Sequence, residues 1–126
     1  MITEDYVSFE TAKLLKEKGF KTPVETGYYG DGRICHNLAL DFMDYNHEDG
    51  YYSRPTIQMA MKWLREVHKL YVNIWADPKD VENNDFDIIF RAQVYNGTSN
   101  YGTYEFSTYE QAVEAAIKYC LENLIK

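Results

Sequence analysis

The chain predicts an α+β fold: one domain of helix, hairpin, helix, three-stranded antiparallel meander and helix, with the helices mainly on one sheet face. Three observations lead there. Apolar residues recur at helical spacing in three separate stretches. Other runs alternate apolar and polar residues with period two, as strands do. Asp-Gly and Asn-Gly turn signals separate neighbouring strand runs. At 126 residues, 45% hydrophobic and 26% charged, residues 1–126 suit a single domain that buries its core without a disulfide staple.

The first helix is expected from Ser8 to Lys18. Ser8 is a favoured N-cap and Gly19 the expected stop. Phe9, Ala12, Leu14 and Leu15 form its apolar side. Phe20 follows the glycine, where a hydrophobic contact often closes a helix end. Residues 24–38 read as a hairpin, with Gly30-Asp31-Gly32 as the turn between Tyr28-Tyr29 and Arg33-Ile34. Residues 39–52 show no clean period and read as a long ordered loop, aromatic and acidic; loops of that length are often functional.

The second helix is expected from Pro55-Thr56 to Lys69, with proline in the first turn. Ile57, Ala60, Met61, Leu64 and Val67 make its apolar stripe, widened by Met59, Trp63 and Leu70. Gln58, Lys62, Arg65 and Lys69 make the opposite face. Strands follow at about Leu70–Ala76, Ile88–Tyr95 and Tyr101–Phe106. Asp77–Asp87 is expected to be an acidic connection and Asn96-Gly97 a turn. Thr108-Tyr109-Glu110-Gln111 is a capping box opening the third helix. Val113, Ala116, Ile117, Cys120, Leu121 and Leu124 form its stripe.

Strand alternation supplies the candidate site. Val72, Ile74, Ile88, Phe90, Ala92 and Val94 should face the second and third helices. Tyr71, Asn73, Trp75, Ile89, Arg91, Gln93 and Tyr95 should face the other way. That second face combines aromatic rings with an arginine, the residue types that dominate protein-binding hot spots. Either the first helix and the hairpin cover it, or it is a contact surface. On the second reading Tyr71, Trp75, Arg91 and Tyr95 make the contact, joined by Tyr51 and Tyr52. The twelve tyrosines favour such surfaces, since each ring has an apolar body and a polar tip.

The formal charge of −7 disfavours nucleic acid and anionic membranes as partners. No apolar run is long enough to span a membrane, and no secretory leader is visible, so the chain reads as cytoplasmic. Asn96-Gly97-Thr98 matches a glycosylation sequon but reads as a turn. Cys35 and Cys120 set no disulfide framework, and Cys120 falls on an apolar helix face. His68 reads as a cation favouring the end of the second helix.

Enzyme chemistry finds little support. Gly27, Gly30 and Gly32 do not make a dinucleotide fingerprint, and no phosphate loop or nucleophile elbow is present. No cofactor is therefore expected. Asp41, Asp44, His47, Glu48 and Asp49 could offer hard metal ligands, and Asp44-Asn46-Glu48 imitates the start of a calcium loop. The imitation ends at Asp49, where glycine belongs, and at Pro55, where a glutamate belongs.

Two resemblances add context. The second helix, meander and third helix share the α-β-β-β-α order of double-stranded-RNA-binding domains. That family needs lysines at the start of its last helix; Tyr109, Glu110 and Gln111 stand there instead. Separately, the segments DYVSFETAKLLKEKGF (5–20), RPTIQMAMKWLREVH (54–68) and TYEQAVEAAI (108–117), in that order, resemble a family of small uncharacterised proteins of intestinal anaerobes, prophages and related mobile elements. They cover about a third of the chain. The resemblance implies an accessory protein of that context and transfers no activity.

The function expected is a small non-enzymatic protein-binding module, acting on a protein partner or on a second copy as a homodimer. The alternatives are a metal-assisted hydrolase using Asp41, Asp44, His47 and Glu48, and an acidic mimic of nucleic acid.

Overall fold

The structure, a computed structural model, describes residues 2–36, 42–80, 86–102 and 104–125. It is α+β, with three α-helices and two three-stranded antiparallel sheets. Helix α1 spans Phe9–Glu17, capped by the Ser8 hydroxyl accepting from the Thr11 N–H. Gly19 takes φ +91°, which stops the helix where a side chain would be strained. Phe20 then turns into the core, 1% exposed, and meets Trp63 edge-on at 5.3 Å.

The first sheet has the order β2-β1-β3. Strands β1 (Thr26–Tyr29) and β2 (Ile34–His36) are the expected hairpin. The third strand was not expected. Part of the segment read as a loop is a 3₁₀ turn, Tyr45–His47, followed by β3, Tyr51–Ser53, which pairs with Gly27–Tyr29. Asn46 ties this turn down. Its amide donates to the Phe20 carbonyl at 2.7 Å and accepts from the Ser53 N–H at 2.9 Å. Gly27 lets the layers close: a β-carbon there would lie 2.7 Å from the Tyr45 ring. These partners are distant in sequence, so period and turn signals do not reveal the strand.

Helix α2 runs Ile57–His68 with Thr56 as N-cap. Lys69 takes the left-handed conformation, φ 56°, and hands the chain to β4 (Tyr71–Asp80). Strand β4 pairs along its whole length with β5 (Phe86–Tyr95). The expected acidic connection is therefore shorter than read: Asp77–Asp80 and Phe86–Asp87 extend the ladder, and the remainder lies outside the described residues. Strand β6 is only Asn100–Tyr101, with an isolated bridge from Phe90 to Phe106. Asn96 shapes the β5–β6 turn, its side-chain oxygen accepting from the Thr98 and Ser99 N–H groups. Helix α3 spans Tyr109–Tyr119, and a π-helical turn, Cys120–Leu124, follows. Thr108 caps α3 as expected, but the Gln111 side chain accepts from the Ser107 hydroxyl, so the capping box is half made.

One hydrophobic cluster joins these elements. Leu15, Leu64, Ile117 and Leu121 are fully buried in it, with Ala92 and Val94 from β5. Glu114 of α3 holds the start of α1, accepting from the Ser8 N–H at 3.0 Å, the Ser8 hydroxyl at 2.6 Å and the Thr11 hydroxyl at 2.5 Å. Val67, counted in the α2 stripe, is 59% exposed. Periodicity marks the side of a helix and not how far along it its neighbours extend.

Candidate protein-contact face

The ladder sorts the β4–β5 side chains as alternation requires. Val72, Ile74, Phe90, Ala92 and Val94 pack into the core cluster, and α3 lies against both strands while α2 lies against β4. Ile88, expected on this side, is 47% exposed near the distal end of the ladder. On the opposite face Tyr71 is 39%, Trp75 39% and Tyr95 38% exposed. Among the described residues helix α1 packs on β3, α3 and the π-turn. Among the described residues these three aromatic residues keep over a third of their surface exposed.

Register builds the face in rungs: Tyr71 beside Tyr95, Asn73 beside Gln93, Trp75 beside Arg91, Asp77 beside Ile89. The Tyr71 and Tyr95 rings stand 6.5 Å apart. The Tyr95 hydroxyl donates to the Gly97 carbonyl at 2.8 Å, which holds the ring toward the β5–β6 turn. Arg91 is already paired. Its guanidinium donates to Asp77 at 2.9 Å and reaches Glu105 at 3.4 Å. Lys79 pairs with Glu105 at 2.8 Å, and this ammonium, with Arg91 behind it, holds the Glu105 carboxyl below its ordinary pKa. Ile89 is buried at the charged end of the face. The result is an aromatic half, Tyr71, Trp75 and Tyr95, beside an ion-paired half that sequence reading missed because Asp77, Lys79 and Glu105 lay in segments read as connections or strand ends.

Tyr51 and Tyr52 stand on the other sheet. Tyr52 is half-buried, edge-on to Phe9 at 5.5 Å with the Lys16 ammonium 4.8 Å over its ring. Tyr51 is 36% exposed and leans on Tyr29 at 5.7 Å. Sequence reading grouped these two with the β4–β5 aromatics; in the fold they stand on β3 and make their ring contacts with β1 and α1.

The acidic segment, residues 41–49, is described only from residue 42 onward. Among the described residues no group of three metal-ligating side chains occurs. The Asp44 carboxylate accepts from the Asn46 N–H at 3.0 Å as a turn cap, and Asp41 lies outside the described residues. A cleft of about 690 Å³ opens beside α3, lined by Asp5, Tyr28, Glu110, Glu114 and Lys118. Two of its charged groups serve the fold: Glu114 holds α1, and Lys118 pairs with Glu10 at 2.9 Å, which raises the lysine pKa.

Both cysteines are free thiols. Burial pushes Cys120 up to about 12, so it stays protonated as a small hydrophobe. His68 is not the helix-end cation expected. Its ring packs against Trp63 at 4.7 Å, Nε2 is buried without a hydrogen-bond partner among the described residues, and burial lowers its pKa. Desolvation around Nε2 works against the helix dipole here, since burial disfavours the charged imidazolium.

Among the described residues no helix is long and apolar enough to cross a membrane. No protein-family model, curated protein or solved structure matches the chain.

Proposed function

We propose that the protein is a small non-enzymatic binding module whose β4–β5 face contacts another protein. The observation that carries this reading is the exposed Tyr71, Trp75 and Tyr95 cluster on a rigid ten-residue ladder. Aromatic side chains on a flat, ordered platform give large contact area at small entropic cost. The neighbouring Asp77–Arg91–Glu105–Lys79 chain supplies a polar rim with both signs of charge. We read the chain as one domain, cytoplasmic, with its helices mainly on the covered sheet face. The prophage and mobile-element resemblance suggests a host or phage protein as partner. The paired charges and the net −7 argue against nucleic acid.

The test is affinity capture from host or phage-infected lysate with the wild type and a Tyr71/Trp75/Tyr95 triple-alanine variant. Circular dichroism confirms that the variant is folded. A partner retained by the wild type and lost by the variant supports the face. Equal capture by both contradicts it.

A further inference from the structure

Strand β4 has an outer edge as well as a face. Phe90 of β5 exchanges both backbone bonds with Phe106, at 2.8 and 2.9 Å. Its rung partner Ala76 therefore sits where β4 and β5 exchange no bonds. Alternation then turns the backbone N–H and C=O groups of Val72, Ile74 and Ala76 outward, away from β5. Pro78 fits this phase, because its missing N–H falls on the outer side. Among the described residues no backbone hydrogen bond from outside the ladder reaches Tyr71–Asp80.

Open edges are normally blunted by proline, lysine and charge. Asp77, Pro78 and Lys79 do this for one half of β4. The other half, Tyr71 to Ala76, carries no charge and no proline and is rich in strand-forming residues. Its open donors are symmetrical about Ile74. Four positions onward, Pro78 has no N–H. Four positions back, the Leu70 N–H is held by the Leu64 carbonyl at 3.1 Å. Charge is divided along the same line. In the last turn and C-cap of α2, Arg65 and Lys69 against Glu66 make the leading end basic. Asp77, Asp87 and Glu105 against Lys79 and Arg91 make the trailing end acidic. An edge with this symmetry and this dipole complements itself when one copy is turned over.

We propose that β4 pairs antiparallel with β4 of a second copy about a two-fold axis at Ile74. Ile74 meets Ile74, Val72 meets Ala76, and each pair exchanges backbone bonds. Pro78 faces Leu70, so the two positions without a free donor coincide. Asp77 comes diagonal to Lys69 of the other copy. The two sheets become one, and the aromatic faces stay open, so this pairing stands apart from the proposed partner site.

Sedimentation velocity of the full chain from low micromolar to millimolar concentration tests it, alongside amide hydrogen exchange. The expected result is a dimer in which exchange at Ile74 and Ala76 slows as concentration rises. Ala76→Pro removes an outward N–H from an exposed position and should weaken the dimer about tenfold or more. If that variant fails to fold, the Arg65→Glu/Lys69→Glu variant should weaken the dimer through the charge dipole. A wild type monomeric throughout, with free exchange at Ile74 and Ala76, overturns the proposal. So does a dimer that a folded Ala76→Pro leaves intact, or one lost in Trp75→Ala and kept in Ala76→Pro, which places the contact on the aromatic face.

Discussion

The two sheets use the same secondary structure for opposite purposes. In the β2-β1-β3 sheet the strands are three or four residues long and bound to the core: Tyr28 and Ser53 are buried, and the Tyr28 hydroxyl donates to the Val7 carbonyl at 2.6 Å. In the β4-β5-β6 sheet the main ladder is ten residues long, with α3 packed on both β4 and β5 and α2 on β4. Short strands need neighbours on every side to persist. A long ladder holds its own register and can leave a face and an edge unoccupied. The molecule thus concentrates packing in one region and exposes ordered surface in the other.

That contrast sets an order of sensitivity. Leu64→Ala in α2 and Ile117→Ala in α3, at fully buried positions, should each cost about 2–5 kcal/mol in urea denaturation. Gly27→Ala follows. Its new β-carbon would meet the Tyr45 ring at 2.7 Å and the Tyr52 carbonyl oxygen at 2.8 Å, costing about 1–3 kcal/mol. A cost near zero would mean that the first sheet is loosely packed.

The pH dependence comes next. Folding lowers the His68 pKa, so between the folded and unfolded values the unfolded chain binds more protons. The His68 contribution is full above the unfolded value of about 6.5 and is lost as pH falls toward the folded value. His68→Phe should flatten that part of a stability–pH curve. An unchanged curve would show that the imidazole is solvated. The smallest effects belong to the open face: Trp75→Ala and Tyr95→Ala should each change stability by no more than about 1 kcal/mol. Larger losses would make the face part of the core.

How much was legible in sequence follows the same division. The three helices could be read because caps and apolar stripes are local: Ser8 and Thr108 cap as their residue types suggest, while Pro55, read into the first turn of α2, stands before the N-cap Thr56. The open face could be read because period two needs only the strand itself, and Tyr71, Trp75 and Tyr95 emerge on it together. Strand β3 could not, since its pairing with Gly27–Tyr29 depends on Asn46 and Tyr45 folding under it. Arg91 was found as a candidate, but its pairing with Asp77 and Glu105 depends on register that residue spacing does not carry. His68 failed for a related reason: the helix end was visible, while the Trp63 ring that buries it was not.

Among the described residues, Tyr71, Trp75 and Tyr95 of the β4–β5 face stay exposed. The two tryptophans report on the two regions, Trp63 at 8% exposure and Trp75 at 39%. Acrylamide quenching of the Trp63→Phe and Trp75→Phe variants, in dilute protein, compares them directly. Trp75, alone in the first variant, should be quenched several-fold more efficiently than Trp63 in the second. Equal protection of both would contradict it, because some element of the fold would then cover the face.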